Sequence, residues 1–239
     1  MKPARLLSYV RKAVDDYRMI DDGDSVAVGV SGGKDSLALL FALAQLRRFY
    51  PNKFKLCAIT VSLGFDGMDF GEVRKFCETL DVPYHVVETN IGDIIFNERK
   101  EKNPCALCSK MRKGALNDRA KELGFGKIAL GHNRDDVIET FFLSLLYEGR
   151  INAFSPVTYL DRKDINAIRP LVYAPEKDVI SFVSKNGVRV VKNPCPVDGY
   201  TKRERIKELI RELDIEFKNI DEKVFGAIGR AGVSGWGEK

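Results

Sequence analysis

Six consecutive residues, Ser31-Gly32-Gly33-Lys34-Asp35-Ser36, combine two glycines, a lysine and two hydroxyls between two apolar runs. The run Ser25 to Val30 reads as a buried strand, and the run Leu37 to Leu43 as the core face of a helix. Adjacent glycines let a ligand approach the backbone, and the N–H groups at a helix start favour an anion. Ser31, Lys34 and Ser36 add donors to the same place, so the hexapeptide is a candidate phosphate site. It is not a Walker A loop, which needs Ser or Thr where Asp35 stands and glycine where Val28 stands.

Two further sets of residues could do chemistry. Gly131-His132-Asn133-Arg134-Asp135-Asp136 follows a fourth apolar run and opens a helix, where one aspartate suits a capping position. His132 is one of only two histidines and is expected to orient this loop by hydrogen bonding, with proton transfer the alternative; the other, His85, sits within a strand pattern and is read as structural. Cys105 and Cys108 form a Cys-x-x-Cys at a helix start, and Cys195 lies in Asn193-Pro194-Cys195-Pro196. A Cys-x-x-Cys serves redox chemistry, zinc or an iron–sulfur cluster. A structural zinc site wants four ligands, and no fourth Cys or His lies nearby in sequence. Three thiolates fit a 4Fe–4S cluster with one iron open to an exogenous ligand, though a smaller cluster or zinc also stays open. The helix start at Cys105 is expected to favour the thiolate. Cys57 and Cys77 fall in apolar-periodic stretches and read as core thiols.

The elements that must position these residues alternate. An amphipathic helix is expected over 3–20, strands near 24–30, 54–61, 83–88 and 127–131, and helices to Phe49, near 69–80, over 105–124 and over 135–147. Such alternation implies a doubly wound, mostly parallel α/β sheet with flanking N- and C-terminal helices. Ligands of these sheets bind at the carboxyl ends of the strands, where Ser31, Ser62 and His132 all fall. Past Gly149 the pattern loosens to a turn or short strand at 169–171, a helix from Pro175, a short strand at 188–191 and a basic helix over 201–214. Three regions are expected: a helix at 1–23 packing on the core, a catalytic domain over 24–200, and a basic helical extension over 201–239 with a loose tail. The 239 residues, 44% hydrophobic, suffice for one large core. No apolar stretch spans a membrane and no signal region opens the chain, so a cytoplasmic location is expected. The net charge of +5 permits a nucleic-acid partner without demanding one.

The hexapeptide resembles the pyrophosphate loop of the N-type ATP pyrophosphatases, the PP-loop proteins of adenine nucleotide α-hydrolase-like fold. Together with Pro104-Cys105-Ala106-Leu107-Cys108 before a basic helix, Leu130 to Asp136 with Ile138-Glu139-Thr140, the late Asn193 to Pro196 and the lead-in Asp16 to Asp24, it resembles the TtcA family of tRNA 2-thiolation enzymes over about residues 4–212. The resemblance implies an ATP site at Ser31, Gly32, Gly33, Lys34, Asp35, Ser36, Val61, Ser62, Gly131, His132 and Asp136, with Mg²⁺ on the phosphates. Gly131 would admit the nucleotide to the backbone, and Val61 and Ser62 would contact the adenine. Lys34, Arg112 and Asp136 are the implied catalytic residues, Asp136 being preferred to Asp135. Cys105, Cys108 and Cys195 would hold a 4Fe–4S cluster. The C2 oxygen of a pyrimidine, cytidine 32 in the family's typical tRNA substrate, would be adenylated and then replaced by sulfur. The implied partners are tRNA, a cysteine desulfurase or other sulfide donor, and a second copy in a homodimer. Basic residues on both sides of the cysteines, Arg99, Lys100, Lys102, Lys110, Arg112 and Lys113 and then Lys202 to Arg211, are candidates for the RNA surface. The alternatives are a thiolase using a Cys108/Cys195 persulfide pair without a cluster, a PP-loop ATP pyrophosphatase acting on a substrate other than tRNA, and a non-enzymatic nucleotide-binding or iron–sulfur carrier module.

Overall fold

A computed structural model of the chain describes residues 1–65, 67–99, 104–191, 195 and 202–237. Its centre is a six-stranded sheet. The strands are β1 (Ser25–Gly29), β2 (Lys55–Ser62), β3 (Tyr84–Glu88), β4 (Lys127–Ala129), β5 (Val157–Leu160) and β6 (Ile165–Ile168). They lie in the order β3-β2-β1-β4-β6-β5, and all pairs are parallel except β5 with β6. The helices are α1 (Pro3–Asp16), α2 (Lys34–Phe49), α3 (Gly71–Thr79), the short α4 (Ile91–Asp93) running into a π-turn at Ile94–Glu98, α5 (Pro104–Glu122), α6 (Arg134–Glu148), α7 (Glu176–Lys185), α8 (Lys202–Phe217) and α9 (Ile220–Arg230).

Alternate strand residues feed two cores, one on each face. Val26, Val28, Leu56 and Ala58 point to the side covered by α1, α2 and α7, while Ala27, Cys57, Ile59 and Val61 point to the side covered by α5. This two-residue period is what a sheet buried on both faces requires. Burial pushes the Cys57 thiol up to about 12 and the Cys77 thiol up to about 11, so both behave as core residues. No described helix is long and apolar enough to cross a membrane.

The winding places the site. Successive strands run outward from β1 to β3 on one side, then the chain returns to set β4 on the other side of β1. The loops leaving β1 and β4 therefore part at a topological switch point and leave a crevice between them.

Four expectations change. The first helix stops at Asp16, because Arg18 takes a left-handed φ of 45° and sends Met19 and Ile20 into the core. The antiparallel β5–β6 hairpin lacks a sequence signal; its turn, Asp161 to Asp164, carries no glycine or proline. Residues 188–191 form no strand; Val191 instead donates its N–H to the Gly32 carbonyl at 3.0 Å. The tail read as loose, Gly226 onward, includes the last turns of α9 and seats Trp236, 1% exposed, against Tyr17 and Phe225. The Trp236 indole N–H donates to the Phe154 carbonyl at 3.0 Å. Ile228 of α9 and Trp236 belong to the main core, so α9 and the residues after it pack onto the body of the sheet. Trp236→Ala is expected to lower the unfolding free energy by about 3–5 kcal/mol in a denaturant titration, the usual cost of emptying a buried tryptophan site.

Candidate active site at the sheet switch point

The loop after β1 is shaped before any ligand arrives. Gly32 has φ +81°, a left-handed turn that favours glycine, and a Cβ there would lie 2.9 Å from Val191. Gly33 is the N-cap of α2 in extended conformation, so its smallness, not its φ, leaves the approach open. The Ser36 hydroxyl donates to the Gly33 carbonyl at 2.9 Å and accepts from the Ser31 N–H at 3.2 Å, tying the loop into a ring. Below it, the first turn of α2 leaves backbone N–H groups without intrahelical partners.

The loop after β4 packs against this ring. A Cβ on Gly131 would stand 3.0 Å from the Ser36 nitrogen and 3.1 Å from the Asp35 carbonyl carbon. The close approach that Gly131 permits is therefore that of α2's first turn as well as of a ligand. Asn133, not an aspartate, caps α6: its side chain accepts from the N–H groups of Asp135 and Asp136 at 2.9 and 3.1 Å. Asp136 completes a capping box by accepting from the Asn133 N–H at 2.9 Å. Asp135 accepts from the Glu176 N–H at 2.7 Å and so fixes the start of α7.

Charged groups are interlocked across these loops. The Lys34 ammonium lies 2.8 Å from both Asp35 Oδ2 and Glu176 Oε1. Burial opposes its charge, but the two carboxylates outweigh burial and hold its pKa above the ordinary lysine value. Arg203 from α8 reaches Asp136 Oδ1 at 2.9 Å and the buried Glu139 Oε2 at 3.0 Å. Lys207 lies 3.7 Å from Glu176 and 3.8 Å from Glu139. Burial pushes the Glu139 carboxyl up to about 7, opposed by Lys207 and Arg203. Burial likewise raises Asp136, opposed by the Asn133 N–H and Arg203.

Between the loops lies a cavity of about 830 Å³. One wall is apolar, with Ile59, Val61, Leu63, Met68 and Leu130. The PP-loop residues Ser31, Gly33, Lys34, Asp35 and Ser36 form its floor, with Gly131 and His132 beside them. Arg112, Lys113, Arg169 and Arg203 add cations, and among the described residues Asp35 alone adds a carboxylate. Such an interior suits a polyanion with an apolar end.

Of the residues expected at the nucleotide, Gly32, Ser62 and Asp136 do not line this cavity. Gly32 shapes the loop. Ser62 is buried and gives its carbonyl to the Thr89 hydroxyl at 2.6 Å. Asp136 spends its oxygens on Asn133 and Arg203. Arg169, Glu176 and Phe154 were not singled out by the sequence, and Arg203 only as one charge of the basic helix offered to RNA. Arg169 carried a faint signal, a residue just past a strand; Glu176 reads as an ordinary helix-surface charge, and Arg203 as an RNA-facing one, until tertiary packing turns them inward.

The hydrogen bond expected of His132 is not seen among the described residues: its ring packs on Phe154 at 4.8 Å, and its Nδ1 is buried without a partner there. Burial first, then Arg169 and Lys113, push its pKa down to about 3, so it stays neutral. A base whose pKa falls on folding contributes stability above its unfolded value of 6.5 that is lost as pH drops towards 3. Glu139 acts in the opposite direction between 7 and 4.5. His132→Gln is therefore expected to flatten the loss of melting temperature on acidification below pH 6.5; an unchanged pH profile would contradict this.

The cysteines stand beside the cavity. Ser109, which follows Cys108, and Arg112, one turn later, both line it. Burial raises the Cys108 thiol, Arg112 lowers it, and Cys195 and Cys105 raise it further, so both lie within electrostatic reach of Cys108. The five cysteines form no disulfide. Among the described residues no three Cys, His, Asp or Glu side chains gather tightly enough for one metal ion. A cluster spreads its thiolates wider than an ion does, and three neighbouring thiols without disulfides fit it as a donor set. On either side of Cys195 in sequence, Val191 bonds to Gly32, and Arg203 and Lys207 pair with Asp136, Glu139 and Glu176.

A model of the PP-loop domain family matches residues 6–213. The tRNA-cytidine(32) 2-sulfurtransferase of Pelobacter propionicus is 40% identical over 227 residues, covering 94% of this chain and 84% of the relative. The chain belongs to the TtcA family of PP-loop proteins. The enzyme of the same name from Geobacter sulfurreducens is 36% identical over 94% of this chain and 89% of its own length. Among solved structures, the U34-tRNA thiolase NcsA from Methanococcus maripaludis with its [4Fe-4S] cluster superposes with a TM-score of 0.76 at 25% identity, over 94% of this chain and 77% of that one. The six-stranded sheet of this TtcA-family chain is thus that of a PP-loop protein.

The RNA surface expected from charge is smaller than its sequence. Arg203 and Lys207 turn inward, and Arg205 pairs with Glu208 and Glu212. Arg99, Lys110, Arg112 and Lys113 remain exposed, as do Lys202 and Arg211. Lys100 and Lys102 lie outside the described residues, as do the residues adjoining Cys195.

Proposed function

We propose that this chain uses ATP to replace the C2 oxygen of a tRNA cytidine, at position 32, with sulfur. The observation that supports this most is the meeting in one place of a PP-loop cavity and three neighbouring thiols, in a chain akin to tRNA-cytidine(32) 2-sulfurtransferases. ATP sets its adenine against Ile59, Val61, Leu63 and Met68, and its phosphates, with Mg²⁺, on residues 31–36. The cytidine C2 oxygen attacks the α-phosphorus, the bond to the β-phosphate oxygen breaks, and diphosphate leaves with the electron pair. Lys34 offsets the charge that gathers on the phosphates, and Arg112 faces the same space from α5. Sulfide then attacks C2 of the adenylated base, the C–O bond breaks, and AMP leaves. Cys105, Cys108 and Cys195 hold a 4Fe–4S cluster that, when bound, supplies an iron able to carry sulfide and act as a Lewis acid. The sulfide comes from a cysteine desulfurase or another donor.

Asp136 acts at one remove. Its contacts to Asn133 and Arg203 make it a positioning residue that sets the β4 loop and holds Arg203 at the cavity wall. The test is the phosphate product. With anaerobically purified chain, ATP should yield AMP and diphosphate, and only when unmodified tRNA is present. ADP and orthophosphate, or AMP formed equally well without RNA, would overturn the reading.

A further inference from the structure

The cavity has a second cationic region apart from its phosphate loop. Arg169, 9% exposed, follows β6 and lines the wall. Its Nη1 donates to the Ser155 carbonyl at 2.6 Å and to Thr158 Oγ1 at 3.0 Å, and its guanidinium stacks over Phe154 at 5.1 Å. Its Nε is buried with no partner, and no carboxylate faces it among the described residues. Lys34 and Arg203 are matched by Asp35, Glu176, Asp136 and Glu139; Arg169 has no carboxylate partner among the described residues. At the accessible side of the same wall stand Arg112 and Lys113 from α5, likewise without carboxylate partners among the described residues.

A buried cation fixed by backbone and aromatic contacts, yet lacking a counter-charge, is costly unless an anion completes it. The triphosphate already has the loop amides and Lys34. The remaining cations lie on the wall shared with α5, the helix that carries Cys105 and Cys108, which is where a base bound for sulfur exchange must arrive.

We propose that Arg169, Lys113 and Arg112 form a phosphate subsite for the RNA strand, taking a backbone phosphate next to the target nucleotide and so drawing its base into the cavity. This rests on the RNA-thiolating reading. Arg169 fixes the position of the phosphate because its own contacts leave it no freedom; Lys113 and Arg112 meet the phosphate at the entrance. The subsite reads no sequence, since phosphate contacts place a strand without identifying its bases.

Lys113→Gln tests it, because an exposed side chain is removed without touching the fold; the melting temperature should match that of the parent. Binding of unmodified tRNA to the cluster-containing protein is measured across salt concentrations, alongside ATP binding. The variant should bind tRNA at least about tenfold more weakly, the worth of one charge-assisted contact. Its plot of log affinity against log salt should lose about 0.7–0.9 of its slope. ATP affinity should stay within about twofold. Weakened ATP binding with unchanged tRNA binding would assign these cations to the nucleotide's own phosphates and overturn the proposal. Unchanged binding of both would overturn it too, while leaving the thiolation reading intact. If the parent protein binds no tRNA at all, the thiolation reading fails and takes the subsite with it.

Discussion

Cys108→Ala, and equally Cys195→Ala, should purify anaerobically without the parent's iron and acid-labile sulfide and should thiolate no tRNA. The physical reason lies in the thiols' surroundings. Burial and the two neighbouring sulfurs all resist ionisation of Cys108, and only Arg112 favours it. Three adjacent thiolates are held together when a polycationic iron core compensates them, so two remaining thiols lose both a ligand and the reason to ionise. The parent protein should carry about four irons per chain, the number in one 4Fe–4S cluster. ATP binding should survive in both variants, because the cysteines do not line the nucleotide floor. A Cys108 or Cys195 variant that keeps its iron would remove that residue from the ligand set. A parent that takes up no iron on reconstitution, yet thiolates tRNA, would favour a Cys108/Cys195 persulfide relay instead.

Lys34→Ala is expected to slow tRNA-dependent AMP formation about 10²–10³-fold, the usual effect of deleting one donor to a developing oxyanion. The loss has two parts. The cation facing the phosphates disappears, and Asp35 and Glu176, each 2.8 Å from the ammonium in the parent, are left as unmatched carboxylates beside a polyanion. Lys207, 3.7 Å from Glu176, compensates that group only in part. Folding should persist, since the Ser36–Gly33–Ser31 ring that shapes the loop does not involve the lysine side chain. Steady-state AMP release at saturating tRNA, with circular dichroism as the folding control, checks this. A variant retaining more than about a tenth of parental turnover would show that the loop amides alone carry the phosphate charge.

Much of this molecule is legible in its sequence because local signals agree there. The first four strands, the phosphate loop, α5 opening at the cysteines and the loop after β4 all lie where apolar runs, glycines and caps put them. Three kinds of feature escape. The β5–β6 hairpin is short and turns through Asp161 to Asp164 without a glycine or proline. The inward turn of Arg203 and Lys207 depends on buried Glu139 and on Glu176 arriving from other elements, which spacing within one helix does not reveal. Trp236 sits among glycines that read as a loose tail, and only the facing Tyr17, Phe225 and Phe154 show why it is ordered. The aspartates illustrate a subtler limit. Asp-Asp at a helix start is visible as a motif, yet that Asn133 is the cap, that Asp135 anchors α7 and that Asp136 holds Arg203 is decided by tertiary packing.

The central claim, that ATP cleavage here serves sulfur insertion at C2 of a tRNA cytidine, is tested most directly by nucleoside analysis. Unmodified tRNA is incubated anaerobically with the cluster-loaded chain, Mg²⁺-ATP and sulfide, then digested and examined by mass spectrometry. The account predicts 2-thiocytidine, one per AMP released, absent when cytidine 32 is replaced by adenosine. AMP release with no thionucleoside, or a thionucleoside that persists when cytidine 32 is gone, would contradict it.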